Sequence, residues 1–312
     1  MRILVLGAGA IGGYFGGRRA ESGADVAFLV REKRKAELGA RGLVVKSAAG
    51  DIARPVTALL ANELVQPFDI VLLSCKAYDL DSAIAAIAPA MGPASVVLPL
   101  LNGVRHLDRL VERFGAARVL GGTCYIGAAF EGGVIRHIGE MQSLAFGELT
   151  GEPSARLREL EALFARSKAQ AALSPDIVQA MWEKLVMLAA LAATTSLARA
   201  TVGEIMAAAS GEAFMRAALA ECAAVAAAEG HAPGEEALGR ARALLTARGS
   251  PFAASTMRDL AAGRRTEGDH IIGDLVRRAH RHGVGIPILE VACAVLEVHE
   301  ARLAAAGTPA RA

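Results

Sequence analysis

A strand-like apolar run, Arg2–Leu6, passes without a spacer into Gly7-Ala8-Gly9-Ala10-Ile11-Gly12, followed by Gly16 and an amphipathic helical pattern. This G-x-G-x-x-G-x-x-x-G series constrains the chain to a strand, a tight turn and a helix packed closely back on the strand. The first glycine permits the turn, the second lets a pyrophosphate approach the backbone, and the third lets helix and strand touch. The helix N-terminus adds unpaired N–H groups and a positive dipole end. A second strand pattern, Asp25–Val30, completes the unit, which favours a dinucleotide cradle over glycines that serve only a turn. Gly7, Gly9, Ala10, Ile11 and Gly12 are therefore the candidate cofactor-binding residues.

The pattern continues as alternating strand and helix signals, the mark of a parallel sheet covered by helices. Strands are predicted at Asp69–Ser74, Ser95–Leu98 and Arg118–Gly121, and helices at Ile11–Ser22, Leu80–Ala90 and Val104–Phe114. The run Ile70-Val71-Leu72-Leu73 suits a strand buried on both faces. Between Cys124 and Glu148 glycines and short alternating segments predict antiparallel strands that extend this sheet. From Pro175 onward Ala, Leu, Glu and Arg dominate and the strand signals vanish. Helices are predicted at Pro175–Leu197, Gly203–Glu229, Gly234–Thr246, Ser255–Ala262, Glu267–His282 and Pro287–Ala305. The expected fold class is α/β, a Rossmann-like doubly wound sheet domain over 1–174 followed by an all-helical domain over 175–312.

The end of the second strand bears on which dinucleotide fits, because an acidic residue there bonds a ribose 2′-hydroxyl and an arginine meets a 2′-phosphate. The strand ends Leu29-Val30-Arg31, which favours NADP(H) over NAD(H). Arg34 is a second candidate for the phosphate, with Glu32 between the two as an opposing charge if it points inward.

Composition narrows the function classes. A net charge of +2, without a basic face interleaved by aromatics, argues against nucleic acid as a partner. Cys75, Cys124, Cys222 and Cys293 form no C-x-x-C pair, so neither a zinc site nor a disulfide framework is expected, and they read as reduced cytoplasmic thiols. His270, His280 and His282 lack metal-like partners and read as surface or packing residues; no metal is expected. The amino-terminal apolar run is broken by glycines and leads to Arg18-Arg19, unlike a secretory leader. The stretch Leu185–Ala198 is shorter than a bilayer requires and holds Thr194, Thr195 and Ser196, so a buried helix and no membrane association are expected. A homodimer is an assembly open to such a chain.

Hydride transfer to a carbonyl requires a proton donor at the oxygen, where negative charge develops. Four segments supply candidates: Ser74-Cys75-Lys76, Leu101-Asn102-Gly103, Met181-Trp182-Glu183-Lys184-Leu185, and Ser255-Thr256-Met257-Arg258-Asp259 leading to Gly263-Arg264-Arg265-Thr266-Glu267. With the glycine loop, their order and spacing resemble the ketopantoate reductase (2-dehydropantoate 2-reductase) family over essentially the whole chain. The most specific marks are W-x-K-L at Trp182–Leu185 and G-R-R-T-E at Gly263–Glu267. The resemblance implies reduction of a small 2-oxo acid to the 2-hydroxy acid, ketopantoate to pantoate, with NADPH. It also implies that Lys184 is the general acid, that Glu267 holds the lysine and the substrate hydroxyl, and that Ser255 binds the substrate carboxylate. Lys76 and Asn102 are placed beside the nicotinamide and the substrate. A lysine near its free pKa of about 10.4 is a sluggish acid at neutral pH and gains from partial desolvation.

One departure bears on the substrate. The family's W-x-K-L helix usually carries asparagines four and eight residues after the lysine, where this chain has Leu188 and Ala192. Both fall on the Lys184 face of the helix, so the polar recognition surface is reduced there. A reductase of a more apolar 2-oxo acid is one alternative. A non-catalytic NADPH sensor is another, although a sensor has no need of the Lys184, Glu267 and Ser255 set.

Overall fold

The computed structural model describes residues 1–307 of the 312. Its residues divide into two compact units, Met1–Asn102 with His106–Ala180, and Gly103–Arg105 with Met181 onward.

The first unit opens with β1 (Arg2–Leu6), α1 (Ala10–Glu21), β2 (Asp25–Leu29), α2 (Glu32–Arg41), β3 (Leu43–Lys46), β4 (Ile52–Arg54) and β5 (Thr57–Leu59). It continues through β6 (Phe68–Leu73), α3 (Leu80–Ile87), β7 (Met91–Pro99), α4 (His106–Phe114), β8 (Leu120–Glu131), β9 (Val134–Glu148), α5 (Ala155–Ala165) and β10 (Gln170–Leu173). Five strands form a sheet in the order β5-β2-β1-β6-β7, every pairing parallel, with α1 crossing from β1 to β2 as the glycine loop requires. Ile70 to Leu73 have no accessible surface, as a central strand covered on both faces demands. Each such side chain contributes roughly 1.5–3 kcal/mol of burial. Phe28, Tyr14 and Phe15 close the layer between sheet and α1.

The segment after Leu120 does not extend this sheet. β8 and β9 form one long antiparallel hairpin around Gly132-Gly133, both at positive φ, and an isolated bridge, Val97 to Val119, is the one contact of pairing type between β7 and the segment leading into β8. The outer edge of β9 is shared, by β3 at its start and by β10 at its end, both parallel, and β3 carries β4; the result is a second sheet. The predicted strand Arg118–Gly121 is the beginning of β8 rather than a separate element.

α6 (Ile177–Ala198) crosses the division between the units, and the second unit adds α7 (Val202–Ala207), α8 (Gly211–Ala228), α9 (Glu235–Leu245), α10 (Ser255–Ala261), α11 (Asp274–His282) and α12 (Pro287–Gly307). At 22 residues α6 is longer than the apolar stretch suggested, and by length and composition it is able to cross a bilayer. Its side chains from Ala189 to Ser196 are buried in the protein. The predicted helix Gly203–Glu229 is broken in two, because the chain turns so tightly before α8 that a β-carbon on Gly211 would collide with the Ile205 carbonyl. The predicted helix Glu267–His282 starts later, with a π-helical turn over Asp269–Gly273 ahead of α11. Glu221 of α8 accepts from the backbone N–H groups of Ile288 and Leu289, both at 3.0 Å, and so caps α12.

Candidate active site

The glycine loop lies in the first unit. Gly7 sits at φ +92° with its N–H donating to the Leu29 carbonyl at 3.0 Å, which turns the chain out of β1. Gly12 is wedged beneath the loop, where a β-carbon would overlap both the Ser74 hydroxyl and the Gly7 carbonyl. Ser74 Oγ donates to the Leu6 carbonyl at 2.7 Å, so the end of β6 braces the end of β1. Above Gly9 the space is open, with nothing within 4 Å of where its β-carbon would stand. α1 begins there without a side-chain cap and without an acidic residue in its first turn. The N–H groups of Ala10, Ile11 and Gly12 have no carbonyl partner within the helix and form an anion cradle. The loop thus fits a dinucleotide pyrophosphate.

Arg31, the N-cap residue of α2, projects into solvent with 85% of its side chain exposed and faces Asp79 at 3.7 Å. Arg34 is only 13% exposed and turns the other way, toward the glycine loop: Nε and Nη2 donate to the Ala8 carbonyl at 3.2 and 3.0 Å, and Nη1 to Glu37 at 3.0 Å. Lys76 is exposed at the start of a short 3-10 turn, Ala77–Asp79, and Asn102 is half-buried after β7.

Lys184, Leu188, Ala192, Ser255 and Glu267 all belong to the second unit. Lys184 lies in the second turn of α6 and Glu267 just before the π-helical turn; both are buried, at 9% and 6% exposure. Trp182, two positions before Lys184 and so on the opposite side of α6, is anchored between His231, stacked at 5.4 Å, and the Arg278 guanidinium. Glu267 is held in place by its neighbours. The Thr266 N–H and hydroxyl donate to Glu300 of α12 at 2.7 and 2.9 Å, and Gly268 packs so tightly on Leu296 that no side chain fits there. Glu300 has no local sequence signal, since its partner lies 34 residues earlier.

Ser255 is the first residue of α10, whose N-cap is Ala254. Ala192 is fully buried and Leu188 half-buried. The hydroxyls of Thr194 and Thr195 donate to the Ala190 and Leu191 carbonyls of their own helix at 2.7 and 2.6 Å. His270 is buried in the π-helical turn against Gly103, and Arg105 pairs with Asp269 at 2.9 Å, which ties the Gly103–Arg105 loop to this unit.

Two family models match the chain: ketopantoate reductase PanE/ApbA over residues 3–151, and its C-terminal domain over 176–300. A protein of Bacillus subtilis, named uncharacterized oxidoreductase YkpB, is 37% identical over 303 residues, spanning 96% of this chain and 99% of its own length. The 2-dehydropantoate 2-reductase of Halobacterium salinarum is 32% identical over 93% of this chain and 95% of its own. The crystal structure of a PanE/ApbA family ketopantoate reductase from Ralstonia eutropha superposes with a TM-score of 0.88 at 30% identity, over 97% of this chain and all of the other. The glycine loop lies within the first matched segment and the Lys184 and Glu267 segments within the second, and the chain belongs to the ketopantoate reductase family.

Proposed function

We propose that the protein is an NADPH-dependent reductase of a small 2-oxo acid, with Lys184 as the proton donor. The observation that carries this reading is the burial of Lys184 in the W-x-K-L turn of α6, in the same unit as the buried Glu267. The bound dinucleotide would supply the hydride. Lys184 Nζ would deliver a proton to the substrate oxygen as it gains negative charge, a contribution of about 10²–10⁴ in rate. Glu267, clamped through Thr266 and Glu300, would orient the ammonium and the hydroxyl being formed. Ser255 would bind the carboxylate, and Lys76 and Asn102 would stand beside the nicotinamide. The exposed Arg31 would receive the 2′-phosphate.

Family membership makes ketopantoate the reference substrate. Leu188 and Ala192, with Thr194 and Thr195 bonded to their own helix, favour a second reading in which a more apolar 2-oxo acid is reduced faster. The cytoplasm is the proposed compartment, in keeping with four cysteines that form no disulfide. NADPH oxidation followed against ketopantoate and 2-oxoisovalerate tests both readings, and an absence of turnover with any 2-oxo acid would reject them.

A further inference from the structure

All three guanidinium nitrogens of Arg34 are engaged. Nε and Nη2 converge on the Ala8 carbonyl, while Nη1 serves Glu37 at 3.0 Å and the Gly133 carbonyl at 3.5 Å. The flat of the group lies 4.4 Å over the Phe130 ring. Arg41, seven residues on along the same face of α2, donates to the Gly132 carbonyl at 3.0 Å, so the β8–β9 hairpin turn is docked on α2 by two arginines. Arg34 therefore joins three parts of the first unit: α2, the hairpin turn and the glycine loop.

The peptide bond between Ala8 and Gly9 is planar, and its carbonyl and N–H point in opposite directions. A fork that fixes the Ala8 oxygen also fixes the direction of the Gly9 N–H, at the residue where α1 begins and the space above the loop is open. A guanidinium so committed has little left to offer a phosphate, whereas Arg31 is 85% exposed.

We propose that Arg34 is a positioning residue of the nucleotide site, one that acts on the pyrophosphate through the Ala8–Gly9 peptide and does not read the 2′-phosphate. This rests on the dinucleotide reading above. It assigns the two arginines of Arg31-Glu-Lys-Arg34 different tasks, discrimination to the first and loop geometry to the second.

The test is a titration of the full-length protein, Arg34→Ala and Arg34→Lys with NADPH, NADH and 2′-AMP, a fragment that has the 2′-phosphate and no pyrophosphate. Both variants are expected to bind NADPH and NADH more weakly by the same factor, about tenfold, with 2′-AMP affinity unchanged. Arg34→Lys keeps the charge but not the fork, and it carries the test if the alanine variant fails to fold. A loss confined to NADPH and 2′-AMP would make Arg34 a phosphate ligand and overturn the proposal, as would unchanged affinity for both dinucleotides. An unmodified protein that binds neither dinucleotide would instead reject the reading on which the proposal rests.

Discussion

The guanidinium of Arg278 lies over the indole of Trp182, 5.2 Å from the ring centroid, and donates to the Asp274 and Glu229 carboxylates. Trp182 thereby connects the turn that carries Lys184 to a charge cluster that is largely withdrawn from water.

Arg278→Ala would leave the buried Asp274 carboxylate without its main partner and remove one of three cations from the half-buried Glu229, and a loss of about 3 kcal/mol in unfolding free energy is expected. Trp182 is the sole tryptophan, so its emission reports the loss of the overlying cation directly. Burial pushes the Glu229 carboxyl upward, but hydrogen bonds and charge from Arg278, with His282 and Arg281, outweigh it and hold the group below its ordinary value. The stability that a lowered carboxylate contributes is present above its unfolded pKa of about 4.3 and is lost as pH falls through the folded value. Denaturant unfolding at a series of pH values should show stability falling below about pH 4.5 in the unmodified protein, and less steeply in Arg278→Gln. Identical slopes would separate Glu229 from acid sensitivity.

Gly12→Ala places a methyl group against the Gly7 backbone carbonyl, which has no freedom to retreat, and against Ser74. Overpacking of this kind costs about 1–3 kcal/mol, and the displaced loop should lose most of its NADPH affinity. Calorimetric titration that finds near-normal affinity would show that the loop tolerates a shift the geometry forbids.

Arg31→Ala should reduce the preference for NADPH over NADH by about one to two decades, the worth of a charge-assisted bond to phosphate. Asp79→Asn, which removes the negative charge facing Arg31, should leave that preference in place or enlarge it. Equal dissociation constants for the two cofactors in the unmodified protein would contradict the assignment.

Leu188→Asn restores a polar group at a half-buried position on the Lys184 face of α6, whereas an asparagine at the fully buried Ala192 would overpack. One recovered hydrogen bond, about 0.5–1.5 kcal/mol, should raise kcat/KM for ketopantoate relative to 2-oxoisovalerate by several-fold. If the unmodified protein already prefers ketopantoate strongly, groups other than those at 188 and 192 read the hydroxyl.

The strand β1, its glycine loop and the buried run of β6 were legible because their signals are local and continuous. The region from Arg31 to Gln66 was not. α2 buries a single residue, Leu38, so its apolar stripe is too thin to register as a helix, and β4 and β5 are three residues each, too short for alternation. The second sheet depends on β3 pairing with β9 about ninety residues later, a contact that no window of sequence contains. Lys184 and Glu267 stand out in the sequence through the W-x-K-L and G-R-R-T-E motifs, whereas Glu300, which holds Thr266 beside Glu267, has no such local mark. The direction of Arg34 is not legible either, because spacing alone cannot tell a guanidinium facing solvent from one bent back onto Ala8.

Single-turnover NADPH oxidation by Lys184→Ala beside the unmodified protein, with NADPH affinity measured in parallel, tests most directly whether Lys184 delivers the proton. A rate lower by about 10²–10⁴ at saturating 2-oxo acid is expected, with the NADPH dissociation constant nearly unchanged. A variant that retains most of its single-turnover rate would contradict that role for Lys184.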